Sequence, residues 1–301
     1  MPKHCRSMIA TALLAIVPLS SEAAQNDIYP TDYVALEDGQ SSITGYAIRQ
    51  SLGGPWKDGA NQKAGDVTAN QYALRASRHF SVGDQGQYTV GPIVVLSGVD
   101  ASASGTLAAT NPPVLGFSDL RLGGAFWFHV DRENREYALA ALMLTLPTGD
   151  YHASQQLNAG ENRTKTVLSL GSMKPLGEKW VFDVAPEVAF FGDNPTYRLP
   201  NGAIVRLSQD IAYALTTNLR YKFTRELHGY VSAQINGGGA TQWNDTHALL
   251  GAPNNTRLGL GTLLFTGENT QLQLRYAQDV QTSNGFRNNG EIALRWAVFI
   301  R

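Results

Sequence analysis

The 301-residue sequence is short of several things that would place it in a familiar class. It has one cysteine, Cys5, so the chain cannot build a disulfide framework of its own. It has no run of about 18 apolar residues, which excludes a transmembrane helix. Its mean hydropathy is only -0.20. Charged residues are sparse at 16% and nearly cancel to a formal net charge of -1, which gives no footprint for nucleic acid. The six histidines are His4, His79, His129, His152, His228 and His247. None makes an HExxH or another metal-binding spacing. Gly237, Gly238 and Gly239 form a glycine run, but no Lys-Ser/Thr pair follows it, so a phosphate loop is excluded as well. No cofactor, metal or catalytic residue is expected.

What the sequence does contain is alternation. Over 205–223 it reads VRLSQDIAYALTTNLRYKF. Arg206, Ser208, Asp210, Thr216, Asn218, Arg220 and Lys222 fall on one parity. Val205, Leu207, Ile211, Tyr213, Leu215, Leu219, Tyr221 and Phe223 fall on the other. A period of two is that of a β-strand, whose successive side chains point to opposite faces. A globular strand usually ends after about 5–6 residues, whereas this one could reach roughly 60 Å. A tilted membrane strand uses such a length, with lipid on the apolar side and a wet lumen on the polar side. The excess is expected to stand above the membrane as a hairpin arm.

The same alternation recurs over 70–80, 118–130, 180–190, 270–279 and 291–301, with weaker segments near 42–51, 87–98, 137–147, 163–175, 227–236 and 256–266. The total is about twelve strands, an even number as bacterial barrels require. Connections at 81–86, 131–136, 176–179, 224–226 and 267–269 are short. Those at 53–66, 99–114, 148–162, 192–203, 237–255 and 282–289 are long, and the two kinds alternate. The expected fold is therefore all-β: a transmembrane antiparallel up-and-down barrel with short periplasmic turns and long extracellular loops. Phe80, Tyr88, Phe126, Phe128, Trp180, Phe182, Tyr221, Phe223 and Trp296 gather at the short-turn ends, as an interfacial aromatic girdle requires.

The inward parity carries Arg75, Asp119, Arg121, Asp183, Glu187, Arg206, Asp210, Arg220, Lys222, Arg275, Asp279, Glu291 and Arg295. These are the expected lumen-lining residues. Both signs are mixed, so the wall is expected to cross-link itself and narrow the bore rather than select ions by charge. Pro92 and Pro186 lie within strands and have no N–H for the ladder, so each is expected to break or bulge it locally, and they are candidates for a lateral gap. Loop aromatics Trp56, Tyr151, Tyr197, Trp243 and Phe286 are candidates for an apolar mouth or, equally, for contact with surface lipid sugars.

The N-terminus has a basic start at Lys3 and Arg6, an apolar stretch over 8–19, and Ser21-Glu22-Ala23 at an A-x-A-like position. Residues 1–23 are expected to be a cleaved export signal, 24–40 a periplasmic or lumenal segment, and 41–301 the barrel. Cleavage would leave 22 basic residues against 24 acidic ones and no cysteine.

Several phrases then resemble a known outer-membrane family. GFSDLRLGGAFW (116–127), LMLTLPTGDY (142–151) and LNAGENRTKTVLSLGSMKPLGEKWVFDVAPEVAFFGDN (157–194) are similar to members of the family named for the MetA pathway of phenol degradation. Its most specific pieces here are the Leu-Pro-Thr-Gly-Asp-Tyr turn at 146–151 and Leu-Asn-x-Gly-x-Asn-Arg at 157–163. The resemblance implies passive uptake of small hydrophobic or aromatic compounds across the outer membrane of a Gram-negative bacterium. It supplies no catalytic residues. The expected partners are outer-membrane lipid, the solute and the barrel assembly machinery. Two other functions fit a barrel. One is a lipid or peptide hydrolase, for which His152 and Ser154 share a loop, with nothing in the sequence to mark a third, orienting group. The other is a structural or adhesive barrel with no transport role.

Overall fold

In the computed structural model, the described residues are 28–301 apart from 33, 85, 132, 200, 245 and 246, with the backbone alone at 247–250. The expected export signal lies outside the described residues.

Twelve strands form the wall: β1 (Ser41–Lys57), β2 (Ala60–Arg78), β3 (Tyr88–Ala103), β4 (Leu120–Asp131), β5 (Glu136–Leu146), β6 (Lys165–Leu176), β7 (Trp180–Phe191), β8 (Ala212–Lys222), β9 (Leu227–Gly238), β10 (Asn255–Gly267), β11 (Thr270–Thr282) and β12 (Gly285–Ile300). Each pairs antiparallel with the next. The last returns to the first, from Ser41↔Ile300 onward, and closes the ring. Closure leaves no barrel strand with an unpaired edge.

The two parities separate as the alternation demands. Leu142, Leu168, Leu215, Leu260, Leu274 and Ile292 are exposed on the outer face, which for such a barrel is the lipid face. Asp183, Glu187, Asp279, Glu291 and Arg295 are buried on the inner face. At the short-turn end, Tyr88, Phe126 and Phe128 form one cluster of ring contacts across neighbouring strands, and Trp180, Tyr221 and Phe223 form another.

Three expectations need correction. The stretch 205–223 is not one strand. It breaks at Asp210 and Ile211, and Ile204–Gln209 joins a separate four-stranded sheet with Asn194–Arg198, Thr241–Trp243 and His247–Leu250. This arm has a core of its own, formed by Tyr197, Leu199, Val205 and Leu207 with Trp243 against it. Secondly, 53–66 and 282–289 are tall hairpins rather than open loops. β1 and β2 run paired to Lys57↔Ala60, where Asp58 and Gly59 take positive φ values of 52° and 78°. Two consecutive left-handed residues suit a tight hairpin turn, and glycine adopts that conformation without strain. Thirdly, the loop aromatics form no open apolar mouth. Tyr197 and Trp243 belong to the arm core. Phe286 packs on a buried cluster around Leu52 and Leu157. Tyr151 is hydrogen-bonded to Thr196 and Asn194, and Trp56 lies under the Arg287 guanidinium.

Candidate functional site

The lumen is narrowed from both ends by its own chain. From the long-loop end, residues 148–163 fold inward as a lid. Its anchor is Asp119, whose carboxylate accepts the backbone N–H groups of Gly149 at 2.8 Å and Glu161 at 2.7 Å. Neither glycine of this lid leaves room for a side chain. A Cβ at Gly149 would stand 2.8 Å from the backbone around Asp119, and one at Gly160 would stand 2.9 Å from Gly149. Leu157 is then fully buried among Leu52, Val67, Val99, Leu107 and Val114. Leu107 comes from a single helical turn, α1 (Gly105–Ala108). Glu161 pairs with Arg163 beneath the lid, and Asn162 and Asn194 tie it to the arm. Burial pushes the Tyr151 phenol up, and burial helped by Tyr151 does the same to Tyr197, so both stay protonated and Tyr151 donates to the Thr196 carbonyl.

From the short-turn end, residues 28–32 and 34–40 run into the lumen. Gln273 donates to the Pro30 carbonyl, and Tyr29 packs beneath the Arg275 guanidinium at 4.4 Å and beside Tyr46. Asp32 bridges two strands, with Arg75 at 2.7 Å and Arg295 at 3.0 Å. Val34 and Ala35 lie against the cluster around Trp127, Met173 and Val181.

Two cavities among the described residues lie along the bore on either side of Asp32. The one nearer the lid is about 250 Å³, at the small end for ligand pockets. Tyr46, Ile48, Ile93, Val95, Leu139 and Met143 give it an apolar wall, and Arg121, Lys165 and Glu161 a polar one. The second, about 670 Å³, opens toward the short turns past Trp127, Met173 and Phe265, among Arg135, Arg220, Lys222 and Arg225. Asp32, Arg75, Ile93 and Trp127 border both.

Most sequence-expected lumen residues sit on the inner face, but they do different things. Asp119 holds the lid. Arg275, Asp279 and Glu291 form a buried ionic network. In it Arg257 bonds Asp279 at 2.8 Å, Arg275 bonds Glu291 at 2.5 Å, and Gln50 donates to Glu291 at 2.8 Å. That network fills the β10–β12 side of the bore. Arg75 and Arg295 hold Asp32, and Glu187 accepts from Ser169 at 2.6 Å. Arg121 borders the upper cavity, and Arg220 and Lys222 the lower one. Asp183 is fully buried opposite Asn218 in the ladder. Arg206 and Asp210 do not reach the lumen. Arg206 is half-exposed on the arm, 3.0 Å from Asp193, and Asp210 is exposed at the strand break.

The prolines interrupt rungs without parting strands. Pro186 still pairs with Leu215 on β8, and its ladder to β6 resumes from Ser169↔Glu187 to Ser172↔Val184. Pro92 still pairs with Gly124 on β4. The larger irregularity is elsewhere. A short strand, Val114–Phe117, stops at Ser118 and Asp119 before β4 begins, where Asp119 turns inward to the lid. Leu115 and Phe117 there are 86% and 76% exposed. His152 and Ser154 are both exposed on the lid.

Several site residues gave no sequence signal. Tyr29 and Asp32 lie in a segment without periodicity. Glu161, Arg163 and Lys165 looked like loop and strand-end polarity. Arg257 sat in a weakly alternating strand, although its inward parity was a usable clue.

Residues 44–296 match the family described as "Putative MetA-pathway of phenol degradation". The chain belongs to that family. Among solved structures, the COG4313 outer membrane channel from Pseudomonas putida F1 is 25% identical, with a TM-score of 0.84 over 91% of this chain and 100% of that one. The translocator domain of the autotransporter NalP from Neisseria meningitidis, 10% identical, gives a TM-score of 0.51 over 88% of this chain and 89% of that one. The β domain of the Bordetella autotransporter BrkA, 15% identical, gives 0.52 over 87% and 99%. These last two share the fold alone. No curated protein matches the sequence. The segments at 116–127, 142–151 and 157–194 fall on the lid, its Asp119 anchor and parts of the adjoining strands β4–β7.

Proposed function

We propose that this family member is a passive outer-membrane channel for small hydrophobic or aromatic compounds. In this reading it is not an enzyme. The long loops face outward and the short turns face the periplasm. Export uses a signal cleaved after residue 23, and the barrel assembly machinery inserts the chain. The contacts that matter are with membrane lipid and the solute.

The observation that carries the reading is the upper cavity. Its apolar wall of Tyr46, Ile48, Ile93, Val95, Leu139 and Met143 is enclosed in a bore otherwise stitched together by ion pairs. A hydrated sugar gains nothing from such a wall, whereas a ring or short alkyl solute buries apolar area against it. Family membership and the similarity to an outer membrane channel support the same reading.

The test is uptake of labelled 4-hydroxybenzoate by a porin-poor Gram-negative host with and without this chain. Uptake should be several-fold faster with it. Equal uptake in both, with correctly inserted barrel, would reject the channel reading. Lipid or peptide hydrolysis by the purified barrel would move the enzymatic alternative ahead.

A further inference from the structure

The lumenal segment carries an aromatic ring and a carboxylate three residues apart, and both are bound. The Tyr29 ring lies 4.4 Å beneath the Arg275 guanidinium, 5.7 Å from the Tyr46 ring and 6.0 Å from the Arg295 guanidinium. The Asp32 carboxylate is clamped between Arg75 and Arg295, at 2.7 and 3.0 Å, and also accepts the Tyr29 backbone N–H at 3.0 Å. Arg295 is itself positioned by Gln271 on β11, and Gln271 also accepts from Thr31. A phenol ring under one guanidinium and a carboxylate across two others is the recognition chemistry of a small aromatic acid.

The position of this clamp matters as much as its chemistry. Asp32 and Arg75 border both cavities, so the clamp is the floor of the upper chamber and the ceiling of the lower one. We propose that Tyr29 and Asp32 occupy an aromatic-carboxylate site, and that such a solute opens the barrel by taking the place of Asp32 between Arg75 and Arg295. This inference rests on the channel reading and adds its regulation. The solute meets the clamp from the upper cavity. Its carboxylate exchanges with that of Asp32, charge for charge, so neither the buried Arg295 guanidinium nor the partly buried Arg75 is left without a counter-ion. Its ring takes over the contact that Tyr29 made with Arg275. A neutral phenol cannot make this exchange, since it brings no charge for Arg75 and Arg295. Acetate brings the charge without the ring.

Loss of two charge-assisted hydrogen bonds should move a closed-to-open balance on the order of 10²-fold. The experiment is planar-bilayer conductance of the purified full-length barrel. The wild-type barrel should conduct little and should open when 4-hydroxybenzoate is added. Acetate and 4-hydroxybenzyl alcohol at the same concentration should not open it. Asp32→Asn should conduct without any addition and respond no further. Tyr29→Leu should keep the clamp and free the Arg275 face for the solute ring, so hydroxybenzoate should open this variant at a lower concentration while acetate still fails to. Heat-shifted mobility on gels checks that each variant is folded. The gate is overturned if Asp32→Asn conducts like the wild type, or if acetate or the alcohol opens the barrel as well as the acid. If hydroxybenzoate crosses wild-type vesicles under those results, the channel reading stands without its gate. If it crosses neither wild type nor Asp32→Asn, the channel reading fails first.

Discussion

Arginine placed at neighbouring positions 141 and 142 should separate the two faces of the wall. Both lie near the middle of β5, between Glu136 at the short-turn end and Leu146 at the lid end. Leu142 is 53% exposed and pairs with Gly124 and Leu168 on the strands either side. Ala141 faces the 250 Å³ cavity. Arginine on a lipid face near the bilayer midplane costs about 2–4 kcal/mol, which is about 30- to 900-fold in the folding equilibrium. At Ala141 the guanidinium enters a lumen cavity that already holds Arg121, Glu161 and Lys165, so the cost should be smaller than at Leu142. The assay is urea-dependent folding into vesicles, read by the heat-shifted gel band and tryptophan fluorescence. Equal destabilisation by Leu142→Arg and Ala141→Arg, or a larger effect at Ala141, would refute the assignment of faces.

Two further expectations follow from the lumen. Asp119→Ala removes two charge-assisted anchors of the lid, each worth about 1.5–3 kcal/mol. It should expose 148–163 to protease on intact cells and raise conductance while the barrel persists; an equally resistant lid would remove Asp119 as its anchor. Glu291→Ala leaves Arg257 and Arg275 buried without their shared partner and should cost about 3–5 kcal/mol. Folding yield in urea measures it, and a loss below about 1 kcal/mol would mean that the network is spread too widely for one member to matter.

Strands and faces were legible in the sequence because a period of two leaves its mark on every residue. The inward placement of Asp183, Glu187, Arg275, Asp279, Glu291 and Arg295 needed nothing more. Parity reports a face, however, and not a height. Val205, Leu207, Tyr213 and Leu215 share a parity, yet the first two fill the core of the arm and the last two face outward, because the chain breaks at Asp210. Arg206 was therefore assigned to a wall that it never reaches. The hairpin at 53–66 was hidden by Gly53, Gly54 and Pro55, which read as loop punctuation inside a strand that continues to Lys57. The lid and the lumenal segment were illegible for a deeper reason. Their contacts are long-range, between Asp119 and Gly149 or between Asp32 and Arg295, and no local pattern encodes them. The lid glycines, Gly149 and Gly160, stand in the sequence as ordinary loop residues, and the close backbone approaches that require them come only with the fold.

The central claim is that the bore passes small aromatic or hydrophobic solutes in preference to polar ones. Liposome swelling with benzoate and with arabinose, at matched osmolarity and with equal amounts of inserted barrel, measures it most directly. Benzoate-loaded medium should swell the vesicles several-fold faster than arabinose. If arabinose enters as fast, the apolar cavity does not govern passage, and the barrel is a small general pore.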